Sequence, residues 1–284
     1  MHAAETSGTR RTRRPGRERR APVPPCARRV ALALATVALL VACAKKDPND
    51  GKDTRYNEET VAIMRRVMAP DANGVDVGAF EGALTRPMVE IAPRGRHIAV
   101  EPQPSYAATL REEFPQVRVL ELALGENPGT ADFIEALDSP ARSGLKKQEY
   151  PTAHERTKTI SVRVARLDDL VSADTPIAFI KIDVEGAEYM VLRGAVKTIR
   201  RDRPVIAFEY GRAGRQDYGT EPAMMWRLLH DELGLEVSLM RTWLDHGPPF
   251  TAEGFRQMVD SGKEWMFIAY PPPGSPRGAV APRQ

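Results

Sequence analysis

The sequence predicts an α/β protein with a Rossmann-like, mostly parallel central sheet and helices on both faces. Three observations carry this. From about residue 56, helical and strand patterns alternate along the chain. Residues 177–182 form a nearly unbroken apolar run that ends in the carboxylates Asp183, Glu185 and Glu188. Residues 74–82 read as a short strand, a glycine-rich turn and the start of a helix.

The elements follow in order. Nine arginines crowd positions 10–29, ahead of an uncharged run at 30–42 rich in Ala, Val and Leu. That run is shorter than the roughly 20 residues needed to cross a bilayer. The order of basic stretch, short apolar stretch and small residues is that of a secretory signal. Leu40-Val41-Ala42-Cys43 resembles a bacterial lipobox, and Arg28-Arg29 weakly resembles a twin-arginine signal. The alternative is a start codon called too early. Residues 1–45 are therefore expected to be a signal-like or lipoprotein-like segment, with membrane association through 30–43. If the start is miscalled, a cytoplasmic protein is expected. Residues 46–55 read as a polar linker, 56–271 as one domain and 272–284 as a disordered, Pro-rich tail.

Within the domain, helices are expected at 58–67, 83–91, 105–114, 187–200, 221–233 and 255–260. Strands are expected at 74–77, 97–100, 117–122, 177–182, 204–208, 236–240 and 264–269. Segments 131–135 and 159–165 are β-rich and read as a hairpin around a polar loop.

Composition narrows the function. The net charge is +3, but without the arginine-rich segment the remainder is acidic, so no basic nucleic-acid face is expected in the domain. The two cysteines, Cys26 and Cys43, precede the domain. The domain holds neither a disulfide framework nor a cysteine zinc site.

A buried strand delivers its C-terminal end to the ligand crevice of an open α/β sheet. Asp183, Glu185 and Glu188 at that end can take protons, hold a metal or bind hydroxyls. They can equally be a solvated acidic helix N-terminus. The turn after the first strand has the spacing Asp76-x-Gly78-x-x-x-Gly82, not Gly-x-Gly-x-x-Gly. A pyrophosphate disfavours a nearby carboxylate, whereas a cofactor bearing an amino acid and a sulfonium tolerates one. The other reading of the turn is tight strand–helix packing. Glu101 ends the second strand 23 residues after Gly78. An acid there can accept both ribose hydroxyls of an adenosine-containing cofactor.

GVDVGAFEG, AVEPQPSYAATL, LALGENPGTADF, RLDDL, FIKIDVEGAEYMVLRGA and RPVIAFEY together resemble an FkbM-type methyltransferase. The resemblance runs in order from about 58 to 210 and more faintly to about 270. It implies the class I fold with an antiparallel last strand, S-adenosyl-L-methionine as cofactor and methyl transfer to a hydroxyl oxygen. Family acceptors include macrolides, sugars and glycans, so a small-molecule or glycan acceptor is expected. The resemblance puts Asp76, Gly78 and Gly82 beside the methionine part, Glu101 on the ribose, and the 122–124 segment with Ala123 and Leu124 beside adenine. The signal-like N-terminus is not part of the family pattern.

For catalysis, Asp183 is the first candidate for base or acceptor orienter. Glu185, Glu188 and Glu209 share that task or ligate a divalent ion such as Mg²⁺ or Mn²⁺. His154 is a second candidate base and His230 reads as structural. Tyr106 and Phe114 read as packing. Trp226, Trp243 and Trp265 line an acceptor pocket or pack on the sheet. The rival functions are an NAD-dependent oxidoreductase and a non-catalytic, membrane-tethered lipoprotein binding module. Acceptor identity, metal dependence and oligomeric state are open at this point.

Overall fold

Residues 50–147, 150 and 154–275 are described by the computed structural model. The signal-like segment, its lipobox and the end of the Pro-rich tail lie outside them. Contacts divide the chain after Asp50, and every strand falls in the second unit, Gly51–Gln284.

The first helix, α1 (Asp50–Val67), begins inside the stretch expected to be a linker. Tyr56, Thr60, Ile63, Met64 and Val67 recur at helical spacing and are buried, so one face packs and the helix extends through residues 50–55. Then come β1 (Asn73–Val77), α2 (Thr85–Ile91), β2 (Ile98–Val100), α3 (Pro104–Glu113) and β3 (Arg118–Leu120). The strand expected at 117–122 is shortened to β3, and a separate β4 (Ala123–Leu124) follows it. The hairpin forms as β5 (Gly129–Ala136) and β6 (Thr157–Ala165), antiparallel, in a small sheet of order β4-β6-β5.

Next is β7 (Ile177–Ile182). The helix expected at 187–200 is two helices, α4 (Glu188–Arg193) and α5 (Val196–Asp202). The reason is local. Asp168 accepts the backbone N–H groups of Lys197 and Thr198 at 3.0 and 2.7 Å, which starts a new helix there. After β8 (Val205–Glu209) comes an unforeseen short helix, α6 (Arg212–Asp217). The helix expected at 221–233 is α7 (Pro222–Trp226) followed by a π turn, Arg227–Glu232. β9 (Glu236–Leu239) stops before Met240, which opens a second unforeseen helix, α8 (Met240–Leu244). α9 (Ala252–Ser261) and β10 (Met266–Tyr270) are the last elements among the described residues.

The main sheet has the order β3-β2-β1-β7-β8-β10-β9. The first five strands are parallel, and β10 runs antiparallel to both its neighbours. This is the expected class I methyltransferase fold with its antiparallel last strand. Strand alternation separates two cores. Ile180, Ile182, Ile206 and Phe208 face one side, whereas Phe179, Ala207 and Ile268 face α1 on the other. The strand order reverses between β1 and β7, so the ligand crevice lies beyond their C-terminal ends.

Candidate active site

The glycine turn is pressed against the chain that follows β7. Gly78 has φ +75°, and a Cβ there would enter the Asp183 carbonyl. Gly78 and Ala79 both donate their N–H to the Val100 carbonyl, at 2.9 and 3.1 Å, which tethers the turn to β2. Gly82 serves packing instead: a Cβ at its φ of +78° would meet the Phe114 ring and Leu110 of α3. Two non-glycine residues, Phe80 and Glu185, hold φ of +47° and +57°. Strained backbone therefore occurs on both sides of the crevice.

Glu101 sits at the tip of β2 and is 3% exposed. Its carboxylate accepts the N–H of Phe80 and of Gln103, both at 2.9 Å. Burial pushes its pKa up, and these two bonds oppose the rise.

Asp76 and Lys181 are register partners on β1 and β7, both turned to the α1 side. Asp76 is 1% exposed. Its Oδ2 accepts from the Thr85 hydroxyl at 2.6 Å, and its Oδ1 has no hydrogen-bond donor. Lys181 Nζ lies 3.5 Å from that Oδ1, donates to the Gly78 carbonyl at 2.7 Å and lies 3.7 Å from Asp183. Burial favours a neutral lysine, but the charges of Asp183 and Asp76 outweigh it and the pKa is raised. One ammonium thus ties the glycine turn to the first candidate base. Lys181 was not among the expected site residues, although a lysine inside the run IAFIKI was the visible signal.

Three of the expected acids converge from different elements. Asp183 follows β7, Glu185 lies in the next turn and Glu209 ends β8. Each offers an oxygen within 4.8 Å of the other two. Burial pushes Glu185 up to about 8, and the charges of Asp183 and Glu188 add to it. Burial, then the same neighbouring carboxylates, hold Glu209 well above its ordinary value. Such a cluster retains protons near neutrality or takes a cation. Glu188 lines neither cleft. It is 1% exposed and accepts the N–H groups of Val184 and Gly186 at 3.1 and 3.0 Å, so it braces the 183–188 turn from beneath. Burial carries its pKa up to about 7 despite those bonds.

Two clefts meet at this cluster. The first holds about 560 Å³ of empty space and is lined by Glu101, Leu122, Ala123, Leu124 and Phe133 among others. The second, about 960 Å³, is lined by Asp76, Lys181 and Glu209, by Asp53, Tyr56 and Asn57 of α1, and by Trp265. Gly78, Phe80, Ala141, Asp183 and Glu185 line both. An apolar slot with a buried acid at its rim suits an adenosine, and the wider cleft opens on the acids.

The remaining candidates lie elsewhere. His154 is exposed and lines neither cleft. His230 stacks on Trp226, with centroids 4.6 Å apart, and is half exposed. Tyr106 packs on Phe80 at 4.3 Å, and Phe114 is buried in a core, so both pack as expected. Trp243 packs against Tyr270, whereas Trp265 reaches the second cleft.

Residues 76–237 match the family described as the methyltransferase FkbM domain. Over 164 residues the chain is 28% identical to 2-O-methyltransferase NoeI of Sinorhizobium fredii, covering 52% of this chain and 66% of that protein. Over 78 residues it is 35% identical to ribosomal RNA small subunit methyltransferase A of Chlorobium limicola, covering 28% and 25%. The chain thus spans just under two thirds of the first relative and a quarter of the second. Among solved structures, a methyltransferase FkbM from Methylobacillus flagellatus aligns with a TM-score of 0.45 at 16% identity, covering 72% of this chain and 44% of that one.

Proposed function

The chain belongs to the FkbM methyltransferase family, and on that premise we propose that it methylates a hydroxyl oxygen of a sugar, glycan or polyketide-type small molecule, using S-adenosylmethionine. The observation that carries the reading is that Asp183 and Glu185 line both clefts. A donor in one and an acceptor in the other meet at carboxylates. The likeness to a protein named a 2-O-methyltransferase supports oxygen as the methylated atom.

The residues suit the donor. Leu122, Leu124 and Phe133 offer an apolar slot for adenine, and Glu101 offers acceptor lone pairs to ribose hydroxyls. Asp76, whose Oδ1 already faces the Lys181 ammonium at 3.5 Å, offers its carboxylate to a second cation on the amino-acid side. An NAD pyrophosphate suits the site poorly, because Asp76 and the acid cluster stand where it needs N–H donors. When bound, the cofactor supplies an electrophilic methyl group.

The protein's part is orientation and proton handling. Holding acceptor and donor in contact contributes about 7–11 kcal/mol to lowering a barrier. A base on the acceptor hydroxyl adds about 10²–10⁴-fold. Asp183 is that base in this proposal. Lys181 fixes its carboxylate beside the glycine turn, and burial, which favours the neutral forms of Glu185 and Glu209, limits the repulsion it meets.

Asp183→Asn keeps the shape and removes the charge. It should lower kcat about 10²-fold or more while donor affinity, read by calorimetry, stays near wild type. Wild-type turnover in this variant contradicts the assignment. Chelation separates two versions. Insensitivity to EDTA makes Asp183 a base or orienter, and recovery by Mg²⁺ or Mn²⁺ alone makes the cluster a metal site. Membrane association through residues 30–43 is a separate proposal, resting on sequence. A soluble protein of uncut mass in its native host sinks it.

A further inference from the structure

One wall of the second cleft comes from outside the segment that matches the family. Asp53, Tyr56 and Asn57 stand on α1, Trp265 just before β10 and Met266 at its start. This wall is fixed from within. Arg55 donates to Glu264 at 2.6 Å, and the Tyr56 hydroxyl donates to the same carboxylate. Lys52 donates to the Lys263 carbonyl at 2.7 Å and lies 4.4 Å over the Trp265 ring. This wall of the cleft is therefore preformed.

Its charge is one-sided. Among the described residues, Asp53, Asp76, Glu81, Asp183, Glu185 and Glu209 line it against one ammonium, Lys181. That ammonium is already engaged by the Gly78 carbonyl, Asp76 and Asp183. Two further cations act from outside the lining, Arg142 on Glu185 and Lys52 over the Trp265 ring. An anionic acceptor finds no free donor cation among the described residues of this lining. S-adenosylmethionine carries an ammonium, a sulfonium and a carboxylate, for a net single positive charge. With it bound, and with Glu185 and Glu209 protonated, the cleft is still negative. Low-dielectric walls focus such a field onto whatever enters.

We propose, building on the methyltransferase reading above, that the second cleft takes a hydroxyl compound carrying a protonated amine, an amino sugar or amino polyol, and rejects uronates and phosphorylated acceptors. The amine sits among the carboxylates, and the hydroxyl is presented at Asp183. Trp265 supplies an apolar surface for the ring carbons.

The test is calorimetry on the full chain in excess S-adenosylhomocysteine, at low salt and about pH 6.5, below the usual amine range. The probes are D-glucosamine, N-acetyl-D-glucosamine and D-glucuronate, which share a ring and differ in charge. Glucosamine should bind about ten-fold tighter than its neutral N-acetyl form, a modest gain for a charge in a partly screened cleft, and glucuronate should give no heat. The gap should shrink when salt rises to about 0.5 M. Asp53→Asn, on the exposed side of α1, should narrow the gap about two-fold. Glu209→Gln should narrow it further. Equal binding of the charged and neutral sugars, binding of glucuronate, or no binding of any of the three overturns the proposal. If S-adenosylhomocysteine itself fails to bind but glucosamine is still preferred, the donor assignment falls and the cation preference stands.

Discussion

Gly78→Ala tests the meeting of the glycine turn and the acid cluster most directly. Two penalties add. Gly78 holds φ +75°, which costs a residue with a Cβ about 1–2 kcal/mol. The new methyl also enters the Asp183 carbonyl, which is backbone and has no rotamer to yield. Relief requires the turn and the chain after β7 to part by about an ångström, the scale of misplacement that costs about 10²-fold in rate. The parting opposes the bonds from Asp183 N–H to the Val77 carbonyl at 3.1 Å and from Lys181 to the Gly78 carbonyl at 2.7 Å. Losing the better part of one such bond adds about 1–2 kcal/mol. A total of about 3 kcal/mol lowers Tm by roughly 6–12 °C in a domain of this size. Gly219→Ala is the control, because its φ is +64° and an added methyl would meet nothing within 4 Å. It should show the conformational part alone, about 1–2 kcal/mol. Thermal melts of both variants and donor titration of Gly78→Ala give the comparison. Equal melting of the two variants, with wild-type donor affinity in Gly78→Ala, would refute the reasoning.

Other outcomes follow from the same geometry. Glu101→Ala should weaken donor binding by about 1.5–3 kcal/mol, the worth of a charged hydrogen bond, and unchanged affinity by calorimetry removes Glu101 from the site. Glu188 titrates near 7 when folded and near its ordinary 4.5 when unfolded, so the folded state keeps a proton that the unfolded chain has released. Its stabilising contribution is whole below about pH 4.5 and is lost as pH rises toward 7, at up to about 1.4 kcal/mol per unit. Urea melts of the donor-free protein should therefore weaken across that window, and Glu188→Gln should flatten the slope; a slope unchanged in the variant rejects the assignment. Lys181→Met leaves Asp76 buried without its cation and should cost about 3–5 kcal/mol. Adding Asp76→Asn should recover part of that loss in urea melts, and strict additivity would show that the two do not interact.

The features legible in the sequence are those that periodicity and punctuation report. The run 177–182, with β-branched and aromatic residues, reads as a buried strand, and the carboxylates at its end as a crevice or a solvated helix start. Gly78 was legible because a turn of that tightness after a strand demands it. Glu101 was legible by its distance from that turn. Partners across the fold were not. Glu188 lies three residues after Glu185 and looks equally catalytic, yet its side chain folds back onto Val184 and Gly186. The break between α4 and α5 depends on Asp168, about 30 residues earlier, which no local pattern around Gly194 announces. Lys181 was visible as an oddity in an apolar strand, but its role follows from register with Asp76 on β1. The α1 wall was hidden behind a polar composition that reads as linker, because its packed face begins at Tyr56.

The clamp between α1 and Glu264 also constrains the order of assembly. Arg55 and Tyr56 meet a residue 209 and 208 positions later. The strand beyond it, β10, is the last to be synthesised and pairs between β8 and β9, so β9 has no other neighbour in the sheet. During synthesis the donor cleft, built from segments between β1 and the turn after β7, can form while the C-terminal quarter is still absent. The second cleft cannot, since Trp265 and the anchor for α1 arrive only with the final strand. Closure of so long a loop is slow relative to local pairing. The chain is thus expected to pass through a donor-competent but acceptor-incomplete stage. Shortening it ahead of β10 should trap that stage, with the edge of β8 exposed to pairing with other chains.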